Sequence, residues 1–498
     1  MIQQLPVIIV VFPLLLSFFI FMAGWWNKKL CFPLAVFALA GCVLSSVAIL
    51  VNVINQGPIH YWLGGWPPPW GIEYLVDHLN ALMLVLVSSL SLLVAISTKR
   101  NVEAELPEKI PSFWSLYVLL ITGLLGITVT GDMFNLFVLL EVASLAAYAL
   151  IAMGEKHATY ASFRYIVIGT VGASWYLLGI GYLYIVTGSL NMINLSQILP
   201  DLYQSKAVMV GFAFILLGVC IKMALFPLHV WLPDAYTRAP SAVSAAIAPL
   251  MTKVMAYVLI RVLFTVFKPE YSIQNLHATD ILSWIGTIAI LFGGIMALSQ
   301  SDFKKMLCYI MVAEIGYIVG GIGIANATAL KGAIFHIIND AIMVACLFLV
   351  ASMVMYKTKG HQISNFKGIF RKMPYSAAIF TVGALAVIGV PPTCGFFSKW
   401  YLLLGGIQAN HWAFVIALLI CTLINVALFF RIFDVGLYLH AFQHVPEPEG
   451  MASSPQSHEA PLIMLIPAAM IAIAIIVIGI FNQTIVNNII KFAVPMGL

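Results

Sequence analysis

Long apolar runs separated by short polar connections dominate the chain. Each run has the length of a membrane-crossing helix, which takes about 20 mainly apolar residues. The pattern predicts spans near 3–25, 32–55, 77–98, 112–130, 132–153, 162–187 and 207–227. It continues with 240–266, 279–300, 305–325, 329–356, 375–404, 411–438 and 460–482. The expectation is therefore an all-α polytopic membrane protein of about fourteen spans. The longest polar stretches, Lys357–Lys372 and His440–Glu459, leave no room for a soluble domain. The first apolar run begins at Ile2 without a basic segment or a small-residue cleavage motif, so it reads as a retained helix rather than a signal peptide.

Composition agrees. Of 498 residues, 62% are hydrophobic and 9% charged, against about 25% charged in a soluble protein. So few charges cannot build a water-facing surface, and most of the chain must meet lipid or other helices. The net charge of +5 comes without a basic, aromatic-interleaved run, which argues against nucleic acid as a partner. Outside the spans or at their edges, 15 Lys or Arg fall in or beside odd-numbered connections and 3 in or beside even-numbered ones. By the positive-inside rule the odd connections are cytoplasmic and both termini lie outside. Seven cysteines stand singly, with no C-x-x-C pair and no Cys/His cluster of metal-ligand spacing. They read as packing residues, with no metal or cofactor expected.

Against this background a few charges are out of place. Each costs about 2.5–3.5 kcal/mol at mid-bilayer and so needs a partner or a function. Glu141 lies in FNLFVLLEVASLAAYAL, Lys222 in FILLGVCIKMALFPLHVW, Lys253 in AAIAPLMTKVMAYVLI and Lys399 in GVPPTCGFFSKWYLLL. His229, His336, Asp340 and Glu314 also have apolar surroundings, and Asp132 precedes Glu141 with eight residues between them. Taken singly, each could be a snorkelling or structural polar group. Glu141, Lys222 and Lys253 lie too far from their span ends for that, whereas Arg261 and Arg431 lie nearer. His229 and His336 are useful in a relay only if they titrate near neutrality, and otherwise they pack and hydrogen-bond. A buried carboxylate and ammonium stabilise each other's charged forms, while desolvation favours the neutral ones. Such a pair is bistable and can capture or release a proton. Glu141, Lys222, Lys253, His336 and Lys399 form the inventory such a relay requires.

Two spans should be broken. The seventh runs into Pro227, Pro233 and Pro240, and the twelfth contains Gly389, Pro391, Pro392 and Gly395. Proline removes a backbone donor, and lipid does not tolerate the freed groups, so both breaks must face protein or a wet cavity. Taking spans four to eight as one unit and nine to thirteen as another puts each break at the fourth helix of its unit. Five is odd, so consecutive units have opposite topology, and paired interruptions in inverted halves point to a transport site. This divides the chain into outer spans at 1–110, a first repeat at 111–267 with its break near 222–240, a second at 268–439 with its break near 389–395, and a loop and last span at 440–498.

Five stretches, in order, resemble one family: GDMFNLFVLLEVASLAAYAL, KMALFPLHVWLPDAYTRAPSAVSAAIAPLMTKVMAYVLIR, SQSDFKKMLCYIMVAEIGYI, FHIINDA and GVPPTCGFFSKWYLL. They are similar to the antiporter-like subunits shared by Mrp-type Na⁺/H⁺ antiporters, respiratory complex I and membrane-bound hydrogenases, and most like the D subunit of the Mrp antiporters. The resemblance implies a prokaryotic cytoplasmic-membrane protein with two inverted five-helix repeats and other hydrophobic subunits as partners. It also implies a central polar axis matched here by Glu141, Lys222, Lys253, His336 and Lys399, with the Glu–Lys pair as charge switch and H⁺ and Na⁺ as cargo. Relatives commonly carry a further lysine shortly after the Asn that follows the histidine, where this chain has Met343 and Val344. Asp340 or water would then complete the axis.

Two other functional classes stand beside cation/proton antiport. One is a proton-pumping subunit of a complex I-like dehydrogenase or hydrogenase. Redox chemistry would then belong to partners, since this chain lacks a cysteine cluster, a G-x-G-x-x-G after a strand and a haem-ligand pattern. The other is a stand-alone solute transporter, disfavoured because the buried polar groups are mostly ionisable.

Overall fold

Residues 2–154, 157–437 and 459–495 are described by the structure, a computed structural model. Most of the polar stretch that begins at His440 lies outside them. Thirteen described helices are long and apolar enough to cross a membrane. Spans 1 to 4 are Leu5–Trp26, Lys28–Gln56, His78–Glu105 and Ile110–Val129; spans 5 and 6 are Met133–Ala152 and Ala158–Thr187. Span 7 starts as Lys206–Met223 and span 8 is Ser241–Val266. Spans 9 to 11 are Ala278–Leu298, Phe303–Ile324 and Ala327–Thr358; spans 13 and 14 are Trp412–Leu437 and Leu462–Ile480. The remaining crossing, span 12, is the interrupted pair Pro374–Ile388 and Cys394–Gln408.

Spans 8 and 11 form the centre. The most apolar 18-residue window of each is wholly buried, against about a third in spans 1 and 2. The outer helices turn large apolar side chains outward, among them Phe18, Leu44, Ile185, Leu423 and Leu462, as lipid-facing or subunit-facing surfaces require. Spans 9 and 10 approach closely because their contact is made of glycine. A Cβ on Gly286 would stand 2.5 Å from the Gly320 nitrogen.

Both breaks occur where proline and positive-φ backbone end the helix. Ala224 (φ 60°) closes the first part of span 7, and after Pro227 the chain resumes as the helix Trp231–Arg238. The Ile221 carbonyl accepts from the Trp231 indole at 3.1 Å as well as from the Ala224 N–H. In span 12, Gly389 (φ 92°) supplies the left-handed residue. There Lys399 Nζ donates to the Val387 carbonyl at 2.6 Å, and Asn339 donates to the Cys394 carbonyl at 2.8 Å. Side chains thus satisfy the broken backbone, as burial demands.

One local device appears twice. Asp132 accepts from the Asn135 N–H to cap span 5 and bridges Asn191; Asp302 accepts from the Lys305 N–H to cap span 10 and bridges Gln362. Two features differ from the sequence pattern. Span 3 continues to Glu105, so Lys99 and Arg100 sit on its last turns, beside Glu103. The connection after span 2 forms an antiparallel hairpin, Ile59–Trp62 with Glu73–Val76. Buried Glu73 ties it down, accepting from Asn191 Nδ2 and lying against His60 Nδ1, each at 2.7 Å.

Candidate functional site

The first centre joins spans 5 and 7. Lys222 ends the first part of span 7 with a fully buried side chain, and its Nζ donates to Glu141 Oε1 at 3.1 Å. Ser144 Oγ, one turn along span 5 from Glu141, lies 2.8 Å from the same ammonium, and the Tyr148 hydroxyl lies at 3.4 Å. All three donors of the ammonium therefore have oxygen partners. Glu141 keeps 26% of its side chain exposed. One end of the pair is sealed and the other open.

The second centre joins spans 10, 11 and 12 and is closed on all sides. Glu314, at 0% exposure, places Oε2 2.7 Å from His336 Nε2 and Oε1 3.5 Å from Lys399 Nζ. His336 Nδ1 lies 2.9 Å from Ser398 Oγ, whose other neighbours are the Gly395 carbonyl at 3.2 Å and the Cys394 carbonyl at 3.5 Å. When His336 is neutral, with its proton on Nε2 toward Glu314, the Ser398 hydroxyl can donate to Nδ1. When His336 is protonated, Nδ1–H donates to Ser398, whose hydroxyl turns to Gly395. A rotating hydroxyl thus serves both protonation states. Lys399 also stands 4.8 Å above the Tyr317 ring, a cation–π contact.

Between the centres, at the core helices, Lys253 of span 8 faces Asp340 of span 11, Nζ to Oδ2 at 2.8 Å and both almost fully buried. The approach is off the line of a hydrogen bond, so the contact is chiefly ionic. Asp340 lies one helical turn after His336, and basic and acidic side chains alternate along Lys253, Asp340, His336, Glu314 and Lys399. Asp340 stands four residues after the histidine and three before Met343. Met343 packs toward the span 12 break, its sulfur 3.0 Å from where a Cβ on Gly395 would be.

The other sequence candidates are placed differently. Asp132 sits at the start of span 5 as its cap, about two and a half turns from Glu141. His229 lies in the span 7 break among the rings of Phe226, Phe292 and Tyr309, with Nδ1 unpartnered. Arg261 holds Asp77 and Asn80 at the start of span 3, and Tyr257 accepts from its Nε at 3.1 Å. Sequence reasoning missed Ser144, Tyr148, Ser398 and Tyr317, because a hydroxyl within an apolar run carries no signal of its own.

Odd-numbered connections line a half-open cavity of about 990 Å³ bordered by residues including Glu105, Asp234, Arg238, Asp302, Lys304 and His361. Buried Lys304 donates to the Ala239 carbonyl at 2.7 Å, and Glu105 accepts from the Ser241 N–H at 2.8 Å. Both hold the junction of spans 7 and 8. Among the described residues no group of three or more His, Cys, Asp or Glu is arranged to hold a metal ion.

Comparison with known proteins places this arrangement. Along its whole length the chain is 42% identical to the N subunit of the NADH-quinone oxidoreductase of Desulforudis audaxviator, covering 100% of both. It is 32% identical to the D subunit of the Na⁺/H⁺ antiporter of Alkalihalophilus pseudofirmus, covering 80% of each. A chain of the archaeal membrane-bound sulfane sulfur reductase, a respiratory membrane complex, superposes with a TM-score of 0.88 at 29% identity, over 98% of this chain and 96% of that one. Residues 130–425 match the family described as NADH:quinone oxidoreductase/Mrp antiporter, transmembrane. Those residues take in both broken helices and both carboxylate–lysine centres, and the chain belongs to that family.

Proposed function

We propose that this chain translocates protons as one hydrophobic subunit of a multisubunit complex in a prokaryotic cytoplasmic membrane, exchanging them for Na⁺ or K⁺. Protons reach the axis from the cavity among the odd-numbered connections, which face the cytoplasm, with both termini outside. Lys222, opposed by Glu141, is the charge switch. When Glu141 moves away or is neutralised, the buried ammonium loses its counter-charge and sheds a proton; when the pair re-forms it takes one up. Lys253, Asp340, His336, Glu314 and Lys399 carry the change to the other half. The supporting observation is that each buried lysine of this series has a carboxylate within 3.5 Å. The division into inverted units at 111–267 and 268–439 belongs to the same reading, supported by the repeated Asp132 and Asp302 caps and the matching breaks. Glu141→Ala and Lys222→Ala should each abolish proton transport by the reconstituted complex while leaving it assembled. Wild-type transport in either would sink the assignment.

The full-length likeness to a membrane component of an NADH-quinone oxidoreductase favours a second reading, in which electron transfer in partner subunits drives the same switch. Purification from the native membrane in mild detergent separates the two. Iron–sulfur or nickel-bearing partners indicate the redox pump. Small hydrophobic partners, with a ΔpH driven by added Na⁺ or K⁺, indicate the antiporter.

A further inference from the structure

Asn425 lies in the middle of span 13 with 1% of its surface exposed, and neither its amide nitrogen nor its amide oxygen has a hydrogen-bond partner. The Tyr317 hydroxyl is likewise buried and unpartnered. It stands beside Cys421 and Thr422, which precede Asn425 by a turn of the same helix. Thr422 donates its own hydroxyl to the Leu418 carbonyl, so toward Tyr317 it can only accept, and the Tyr317 oxygen is left without a donor. The ring that carries the Tyr317 hydroxyl lies 4.8 Å beneath Lys399 Nζ.

Buried amides and hydroxyls are seldom left unmatched in folded proteins, and ordered water fills such places where two or more polar groups converge. Asn425 also has a counterpart. It lies thirteen residues into the fifth helix of the second proposed repeat, and Lys253 lies twelve residues into the fifth helix of the first. The first repeat has an ion-paired lysine at that depth, and the second has an amide with free donors and a free acceptor.

We infer that Asn425 and Tyr317 hold water beside Lys399 and form a proton-transfer station that continues the axis beyond it into span 13. This rests on the proton-translocating reading above. In the forward step Lys399 Nζ–H passes its proton to the held water and becomes a neutral amine, and that water releases one of its own protons onward. The water is regenerated and no other reagent is consumed. Asn425 is a positioning residue: it orients the water and exchanges no proton itself.

The experiment uses the whole complex reconstituted in vesicles, with proton flux read by a pH-sensitive dye. Asn425→Leu, Asn425→Ser, Tyr317→Phe and Lys399→Ala are compared after each is shown to run as the intact complex. Asn425→Leu, which replaces the amide by an apolar side chain suited to a span, should slow flux by about tenfold or more. Tyr317→Phe, which loses only an oxygen, should slow it as well and serves if the leucine variant fails to assemble. Asn425→Ser leaves a hydroxyl and room for water, and should retain flux within about threefold of wild type. Wild-type flux in Asn425→Leu or Tyr317→Phe overturns the inference. So does equal loss in the leucine and serine variants, which would mark a packing role. If Lys399→Ala itself transports normally, the underlying reading fails. If Lys399→Ala is inactive while Asn425→Leu is not, only the station fails.

Discussion

Glu314→Gln perturbs the closed centre most directly, because one carboxylate serves both His336 and Lys399. The substitution keeps the shape and removes the charge. Lys399 Nζ is 3.5 Å from Oε1, and at an effective dielectric of about 20 that separation corresponds to about 5 kcal/mol of attraction. Desolvation of both ions offsets part of this, but removing one partner of a buried pair still costs about 3–5 kcal/mol, because the other charge is left alone. The prediction is therefore a stability loss of about 3–5 kcal/mol for Glu314→Gln. Glu314→Gln with Lys399→Gln should recover most of that loss, and neither protein should transport. At the first centre the Glu141–Lys222 contact is shorter, 3.1 Å, but a quarter of the Glu141 side chain is open. Screening there limits the loss for Glu141→Gln to about 1–3 kcal/mol. The assay is unfolding in mixed micelles followed by tryptophan fluorescence, to which buried Trp114 and Trp231 contribute. A double-mutant cycle over Glu314 and Lys399 isolates the pair. A Glu314→Gln protein within about 0.5 kcal/mol of wild type and without coupling to Lys399 would refute the reasoning, since it would mean the centre is not ionised as drawn.

The remaining predictions use other parts of the same frame. Asp340→Asn should strand the Lys253 ammonium and destabilise by about 3–5 kcal/mol, whereas Asp340→Leu combined with Lys253→Met should fold well and fail to transport. The same micelle unfolding and vesicle flux assays check both halves of that statement. Asp132→Ala should cost about 1 kcal/mol through loss of the span 5 cap, with flux within about twofold of wild type. Asp77, at the start of span 3, makes a pH prediction. Burial pushes its carboxyl up, but the Arg261 charge and hydrogen bond, with the Asn80 and Leu79 N–H groups, hold it below its ordinary 3.8. A depressed folded value means that the contribution to stability is full above the unfolded value and lost as pH falls through the folded one. Acidification below about pH 4 should therefore weaken the wild type, and Asp77→Asn should lack this part of the pH dependence when unfolding is followed between pH 3 and 6.

Hydropathy located the spans because bilayer thickness leaves little freedom in helix length. Their edges were harder. Span 3 runs on through Lys99 and Arg100, which read as loop, because long basic side chains can pair with Glu103 at the end of a helix. The hairpin around Trp62 and Glu73 was unforeseen. It is held by Asn191, more than a hundred residues away, and nothing local announces that bond. The breaks were legible as Gly and Pro, but the groups that satisfy them, Trp231 and Asn339 among them, were not. In the site, buried charge singled out Glu141, Lys222, Lys253, His336 and Lys399, but pairing is a property of space. Glu314 stood in the second rank beside Asp132, and it proves to be the hub of the closed centre, whereas Asp132 caps a helix. The difference lies in what surrounds each, and a carboxylate in an apolar run looks the same in either role.

The contrast between the two centres bears on how the chain works in company. Glu314 is sealed by its own fold, whereas Glu141 reaches the surface of span 5, on a face that also presents Phe134, Val138 and Leu145. A carboxylate at that depth cannot stand against lipid without a penalty of at least about 2.5–3.5 kcal/mol. Contact with Lys222 compensates one side of it only. The open side therefore needs a polar neighbour or a water-filled seam, and a neighbouring membrane subunit can provide either. Covering that face would change the surroundings of one member of the Glu141–Lys222 pair while leaving the fully buried lysine untouched. A pair so placed is open to contact from outside the chain, whereas the Glu314 centre is enclosed by it. Asymmetry of this kind fits the proposed function, in which the Glu141–Lys222 pair is the charge switch and the Glu314 centre carries the change to the other half.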